Sequence, residues 1–166
     1  MGALDVAPLG TALRSATAAF LSASSGRETE ITSKAPPAVT TFDPPAALAE
    51  SAPTLSTLPF LHPVFSFANT ASNLKLSSYA MTATTTRSSD GVSHQWSVTL
   101  SASWVANQAS IQFAFPDLSA VAGFSANFVL FDAVPISWQL IRTDDNSVIG
   151  DGRIVRDAFQ RGTIGP

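Results

Sequence analysis

Val92-Ser93-His94-Gln95-Trp96-Ser97-Val98-Thr99-Leu100-Ser101-Ala102-Ser103-Trp104-Val105 is the stretch on which the fold turns. Val92, His94, Trp96, Val98, Leu100, Ala102 and Trp104 take every second position, and Ser or Thr or Gln fills each position between them. A strand sends alternate side chains to opposite faces, so the pattern predicts a sheet strand with one buried, aromatic face and one hydroxyl-rich face.

Immediately upstream, Ser88-Ser89-Asp90-Gly91 has the chemistry of a hairpin turn, and the β-branched run over residues 74–86 is its partner strand. Further strands are expected over 64–67, over 110–115 where Pro116 stops the run, over 124–131, over 134–142 and over 148–155. Residues 118–123 read as a helical turn or a loop, and Asp144-Asp145-Asn146-Ser147 as a turn. Short strands at this spacing with no interleaved helices predict a mainly β protein. The expected form is an antiparallel β-sandwich, jelly-roll or immunoglobulin-like, of about seven strands over residues 64–155. Barrel closure is the competing architecture.

Residues 1–63 read differently. Leu9, Leu13, Ala16 and Phe20 recur at helical spacing after Pro8, which predicts a short amphipathic helix over 8–21. Seven prolines follow at 36, 37, 44, 45, 53, 59 and 63, so residues 22–63 are expected to be an extended arm with no long helix and no interior strand. Its apolar residues, Phe42 and Phe60 among them, suit a strap laid over a sheet surface. Leu9, Leu13, Phe20, Phe42 and Phe60 are therefore the candidate assembly residues. Residues 156–166 read as a C-terminal tail, and Arg156 and Arg161 there, with Arg153 just before it, are the candidates for a small basic patch.

Composition narrows the function classes. Only 13% of residues are charged, the formal net charge is -3, and the chain holds 22 Ser and 16 Thr. Such a surface repels copies of itself weakly and is easily desolvated, which favours assembly. There is no concentrated Lys/Arg stripe of the kind that nucleic-acid binding needs. The absence of cysteine removes disulfides, thiolate metal sites and a cysteine nucleophile. The N-terminus does not read as a signal peptide, and Pro116, Asp117, Asn127, Asp132 and Pro135 break the apolar stretch 111–141 below membrane-spanning length.

No motif for catalysis, a cofactor or a phosphate stands out. His62 lies beside Pro63 and His94 on the apolar parity of its strand, so both read as structural, and no Gly-x-Ser-x-Gly elbow selects one serine. Asp144, Asp145 and Asp151 are the weak candidates for a hard cation, with an acidic turn as the simpler reading. Trp96, Trp104 and Trp138 are expected in the core. Tyr79 shares a mixed face with Ser77 and Thr85 and is the candidate binding residue, exposed or covered by another subunit.

Three classes follow from these readings. The first is a non-enzymatic structural subunit that assembles with copies of itself or a companion subunit, as coat and shell proteins do. That analogy rests on architecture. A β region of about a hundred residues is short for the eight-strand icosahedral coat form, and no basic N-terminal arm is present. The second is a sandwich that binds a glycan, peptide or small molecule. The third is an enzyme with a dispersed site. No cofactor is called for by any of them.

Overall fold

In the computed structural model the chain is described over residues 13–34, 42–49, 52–58, 60–69, 74 and 76–165. Nine strands occur there: β1 (Arg14–Leu21), β2 (Ser25–Ser33), β3 (Thr54–Ser56), β4 (His62–Ala68), β5 (Leu76–Thr86), β6 (Ser93–Leu100), β7 (Ser110–Ala114), β8 (Ile136–Asp145) and β9 (Arg153–Ile164). They form two antiparallel sheets, one of six strands in the order β1-β2-β9-β8-β5-β6 and one of three in the order β3-β4-β7. The protein is thus mainly β, with two open sheets rather than a closed barrel.

Alternation explains why the sheets pack face to face. On β8 the even positions Ile136, Trp138 and Leu140 are buried, and on β5 so are their register partners Thr85, Ala83 and Met81, with Tyr79 continuing the same face. Phe65 and Phe67 of β4 and Ile111 of β7 close this interior from the small sheet. The Phe65 and Trp138 rings meet edge to face at 6.2 Å, and Phe67 lies 4.9 Å from Tyr79. Each fully buried side chain of this size stabilises the fold by about 1.5–3 kcal/mol. Residues 42–49 cover the adjoining strands instead: the Thr29 hydroxyl donates to the Asp43 carbonyl and the Gln160 amide to the Leu48 carbonyl. That segment behaves as the strap its composition suggested.

The hairpin at 87–92 is present. Arg87 and Val92 share a backbone hydrogen bond, and Asp90 accepts from the Arg87 guanidinium and the Val92 N–H, which hold its carboxyl below the usual range. The strand that follows is shorter than its alternation implied. It stops at Leu100, and Ala102–Val105 form one helical turn in which the Ser101 carbonyl accepts from Trp104 and Val105. Trp104 is therefore 46% exposed and not a core residue, while Val105 takes the buried place. The Asn69 amide holds this turn by donating to the Val105 and Gln108 carbonyls.

Four further expectations are corrected. The helix over 8–21 is absent from the described part: residues 14–21 are strand β1, and residues 8–12 lie outside the described residues. Fourteen residues make a marginal helix, whereas the Ser22–Ser25 hairpin lets the same residues pair with β2 over eight positions. Residues 25–33, expected to lie in an arm without interior strands, form β2 between β1 and β9, because the prolines begin only at 36. Residues 124–131 hold turns and a 3-10 turn (Ala126–Phe128) rather than a strand. Finally, 156–164 is not a frayed tail. It belongs to β9, paired with β8 on one side and β2 on the other.

Close contacts lock β9 in place. Trp138 lies flat over Gly162, its register partner, so an added Cβ there would stand 3.1–3.2 Å from the indole. Phe65 packs edge to face on the same indole and limits the room it has to shift. Gly162→Val is expected to lower stability by about 1–3 kcal/mol, read as a shifted urea midpoint at unchanged slope; an unshifted midpoint would show that β9 does not pack here.

Candidate functional site

The even face of β8 does not end in oil. Arg142 and Asp144 continue the parity of Ile136, Trp138 and Leu140, and both are buried, 1% and 2% exposed. The Arg142 Nε and Nη2 donate to the two Asp144 carboxylate oxygens at 2.9 and 2.8 Å, and the Ser77 hydroxyl donates to Oδ1 at 2.6 Å. Register places Ser77, Asp144, Arg156 and Thr29 in one row across β5, β8, β9 and β2. Arg156 in turn reaches Asp43 of the strap at 3.2 Å. This is a structural ion-pair row. The signal for it lay in the sequence, because two charged residues share the parity of three large apolar ones.

The candidate cation ligands are not brought together. Asp144 is committed to Arg142 and Ser77. Asp145 lies on the opposite face of β8, paired with Arg153 at 2.9 Å, and Asp151 accepts the Lys34 backbone N–H at 2.8 Å. Among the described residues no group of three metal-ligating side chains occurs. Burial pushes the Asp145 carboxyl up, but hydrogen bonds from Arg153 and the Ser147 N–H, with the Arg153 charge, outweigh it and leave the pKa lowered. A lowered carboxylate contributes stability above its ordinary range and loses it as pH falls further, so this pair weakens only in acid.

The three arginines form no common patch either. Arg153 and Arg161 share the odd face of β9 but have separate partners: Arg153 has Asp145, while Arg161 donates to the Ala23 carbonyl and stacks on Phe159 at 5.6 Å. Arg156 is on the even face with Ala158 and Gln160. Tyr79 is buried within its own chain, its hydroxyl donating to the Asn69 side chain at 2.9 Å, so it offers no surface to a ligand or a second subunit.

Both histidines are tied to backbone. His62 Nδ1 lies 2.8 Å from the Phe60 carbonyl, and His94 Nδ1 lies 2.6 Å from the Val129 carbonyl while its ring stacks on Phe131. Trp96 Nε1 donates to the Phe128 carbonyl at 2.7 Å. Between β6 and this loop runs a groove of about 580 Å3, with Val92, Trp96, Leu118, Phe124 and Phe128 among its walls. The indole N–H on this groove is already spent on the loop.

The surface that stands out is the outer edge of β1. Among the described residues no strand lies beyond it. Natural edges are blunted by prolines, inward charges, lysines or bulges. Between Arg14 and Leu21 there is no proline, no lysine and no break in the eight-position register with β2, and the one charge, Arg14, stands at the end of the strand. Large apolar side chains stand exposed at both ends: Leu13 is 50% exposed at one, Phe20 and Leu21 are 58% and 68% exposed at the other. Exposed Ile149, in the turn between β8 and β9, lies in the loop that approaches Leu13 through Gly150. Of the candidate assembly residues, Leu13 and Phe20 are therefore on this edge. Phe42 is half-buried in the strap, Phe60 packs on Trp96 and Phe124 of its own chain, and Leu9 is outside the described residues.

Comparison with protein-family models, with curated proteins and with solved structures yields no match to this chain. Among the described residues, no helix is long and apolar enough to cross a membrane.

The ion-pair row predicts an asymmetric double-mutant cycle. Asp144→Ala leaves the Arg142 guanidinium buried without its counter-charge and is expected to cost about 3–5 kcal/mol in urea unfolding. Replacing both, as Arg142→Met with Asp144→Leu, is expected to restore most of that loss. Equal damage from the single and double replacements would mean the pair contributes more than mutual neutralisation.

Proposed function

We propose that this chain is a non-enzymatic structural subunit that assembles with copies of itself, a coat- or shell-like building block on a jelly-roll or immunoglobulin-like sandwich scaffold. The observation that carries the reading is the outer edge of β1, beyond which no strand lies among the described residues and which Leu13, Phe20 and Leu21 flank. An edge strand exposes a row of backbone donors and acceptors that another strand satisfies at little cost. The composition agrees, since 13% charged residues give weak self-repulsion. Both histidines, the side chains best suited to proton transfer near neutral pH, are engaged with backbone carbonyls in structural roles.

Sedimentation velocity of the full chain across a hundredfold range of concentration tests this reading. A mass that rises above that of one chain is expected, with little dependence on salt because few charges are involved. A mass of one chain at every concentration would overturn it.

A second reading, a binding module, is favoured by the aromatic groove beside β6. Trp96 lines it, so an apolar dye such as anilinonaphthalene sulfonate reports on occupancy. Saturable dye binding lost in Trp96→Ala but kept in Trp104→Ala is the result that would favour this reading.

A further inference from the structure

We propose that two copies join edge to edge, β1 against β1, with Thr17 on a two-fold axis, so that the two six-stranded sheets become one continuous sheet. This rests on the self-association reading and specifies its first interface.

The backbone phase comes from the hairpin. The Ser22 N–H donates to the Ser25 carbonyl at 2.8 Å, which makes these two a hydrogen-bonded pair. Antiparallel pairs alternate between bonded and non-bonded. Phe20, Ala18, Ala16 and Arg14 therefore direct their N–H and C=O groups to β2, while Leu21, Ala19, Thr17 and Ser15 direct theirs to the open edge. The far side of β2 keeps the same phase, because the Ser24 carbonyl accepts the Arg161 N–H from β9.

Side-chain parity then restricts the register. Phe20 faces Arg27, and Arg27 faces buried Ala158, so even residues of β1 lie on the inner face of the sheet. A two-fold axis relating antiparallel neighbours stands perpendicular to the sheet and keeps inner faces on one side. Only residues of equal parity can then oppose one another. Two registers near the middle of the strand satisfy this, one centred on Thr17 and one on Ala18.

The Thr17 register matches the chemistry. It sets Leu13 against Leu21, Arg14 against Phe20, Ser15 against Ala19 and Ala16 against Ala18, with Thr17 facing its own copy. Leu13 and Leu21, both at least half exposed in one chain, cover each other twice per dimer. Phe20 already carries the Arg27 guanidinium at 5.7 Å on one flank, and Arg14 of the second copy would take the other. The two Arg14 charges sit about 20 Å apart at ~3.3 Å per residue, beyond the screening length. Centring on Ala18 instead sets Leu21 against Ser15, Phe20 against Ala16 and Leu13 against Ala23, which leaves the leucines without apolar partners.

The chain has no cysteine, so a single introduced thiol reports on the register. In the proposed interface the two Thr17 Cα atoms are about 5.5 Å apart, within disulfide reach, and the two Ala18 Cα atoms about 8 Å apart, outside it. Mild oxidation of the full chain is expected to cross-link Thr17→Cys into dimers and to leave Ala18→Cys uncross-linked. Thr17→Pro removes one outward N–H per chain without touching the β1–β2 ladder, and is expected to lower the association constant at least tenfold with unchanged circular dichroism. Cross-linking through Ala18→Cys instead would overturn the register. If the unmodified chain associates but neither thiol cross-links and Thr17→Pro associates normally, the edge pairing falls and the self-association reading stands. If the unmodified chain stays a monomer, both fall.

Discussion

The Arg142–Asp144 pair is the constraint on which the large sheet depends. Taking either charge out of water costs several kcal/mol, and that cost is offset only while the guanidinium meets both carboxylate oxygens and Ser77 donates to one of them. A slip of one residue along β8 would reverse every side chain, carrying Trp138 and Leu140 outward and leaving Arg142 and Asp144 without this environment. Oil and charge on one parity therefore specify the same register. The pair also marks a boundary: beyond it the inner face is covered by the small sheet at one end and by the strap 42–49 at the other.

The two edges of that sheet are treated differently. On β6, the loop over residues 116–131 leans against the strand, with His94 and Trp96 each bonded to one of its carbonyls. On β1, at the opposite edge, no comparable device lies among the described residues, and apolar side chains flank the strand.

Much of the fold was legible locally. The 87–92 hairpin and the core parity of Ile136, Trp138 and Leu140 on β8 follow from turn chemistry and alternation over a few residues. The misreadings have specific causes. Leu9, Leu13, Ala16 and Phe20 fit a helical period, but Ala16, Ala18 and Phe20 fit a strand period equally, and only the presence of β2 decides between them. Trp104 continued an alternation that the backbone had already left at Ser101. Residues 156–164 read as a tail because their pairing with β8 and β2, and the seat that Gly162 gives Trp138, depend on distant strands. The candidate edge was hidden for the same reason as β1 itself, whereas the row through Asp144 was open to a parity argument.

A mainly β chain with a weakly charged surface can be read from the residues alone. Those properties depend on residue type and short-range period, which need no partner to express. Only the tertiary structure decided which strands are interior, which edge stands open and where Tyr79, Trp104 and the three arginines point. The reason is that strand pairing is non-local: β2 and β9 lie more than a hundred residues apart in sequence, and neither carries a mark of the other until their backbones meet.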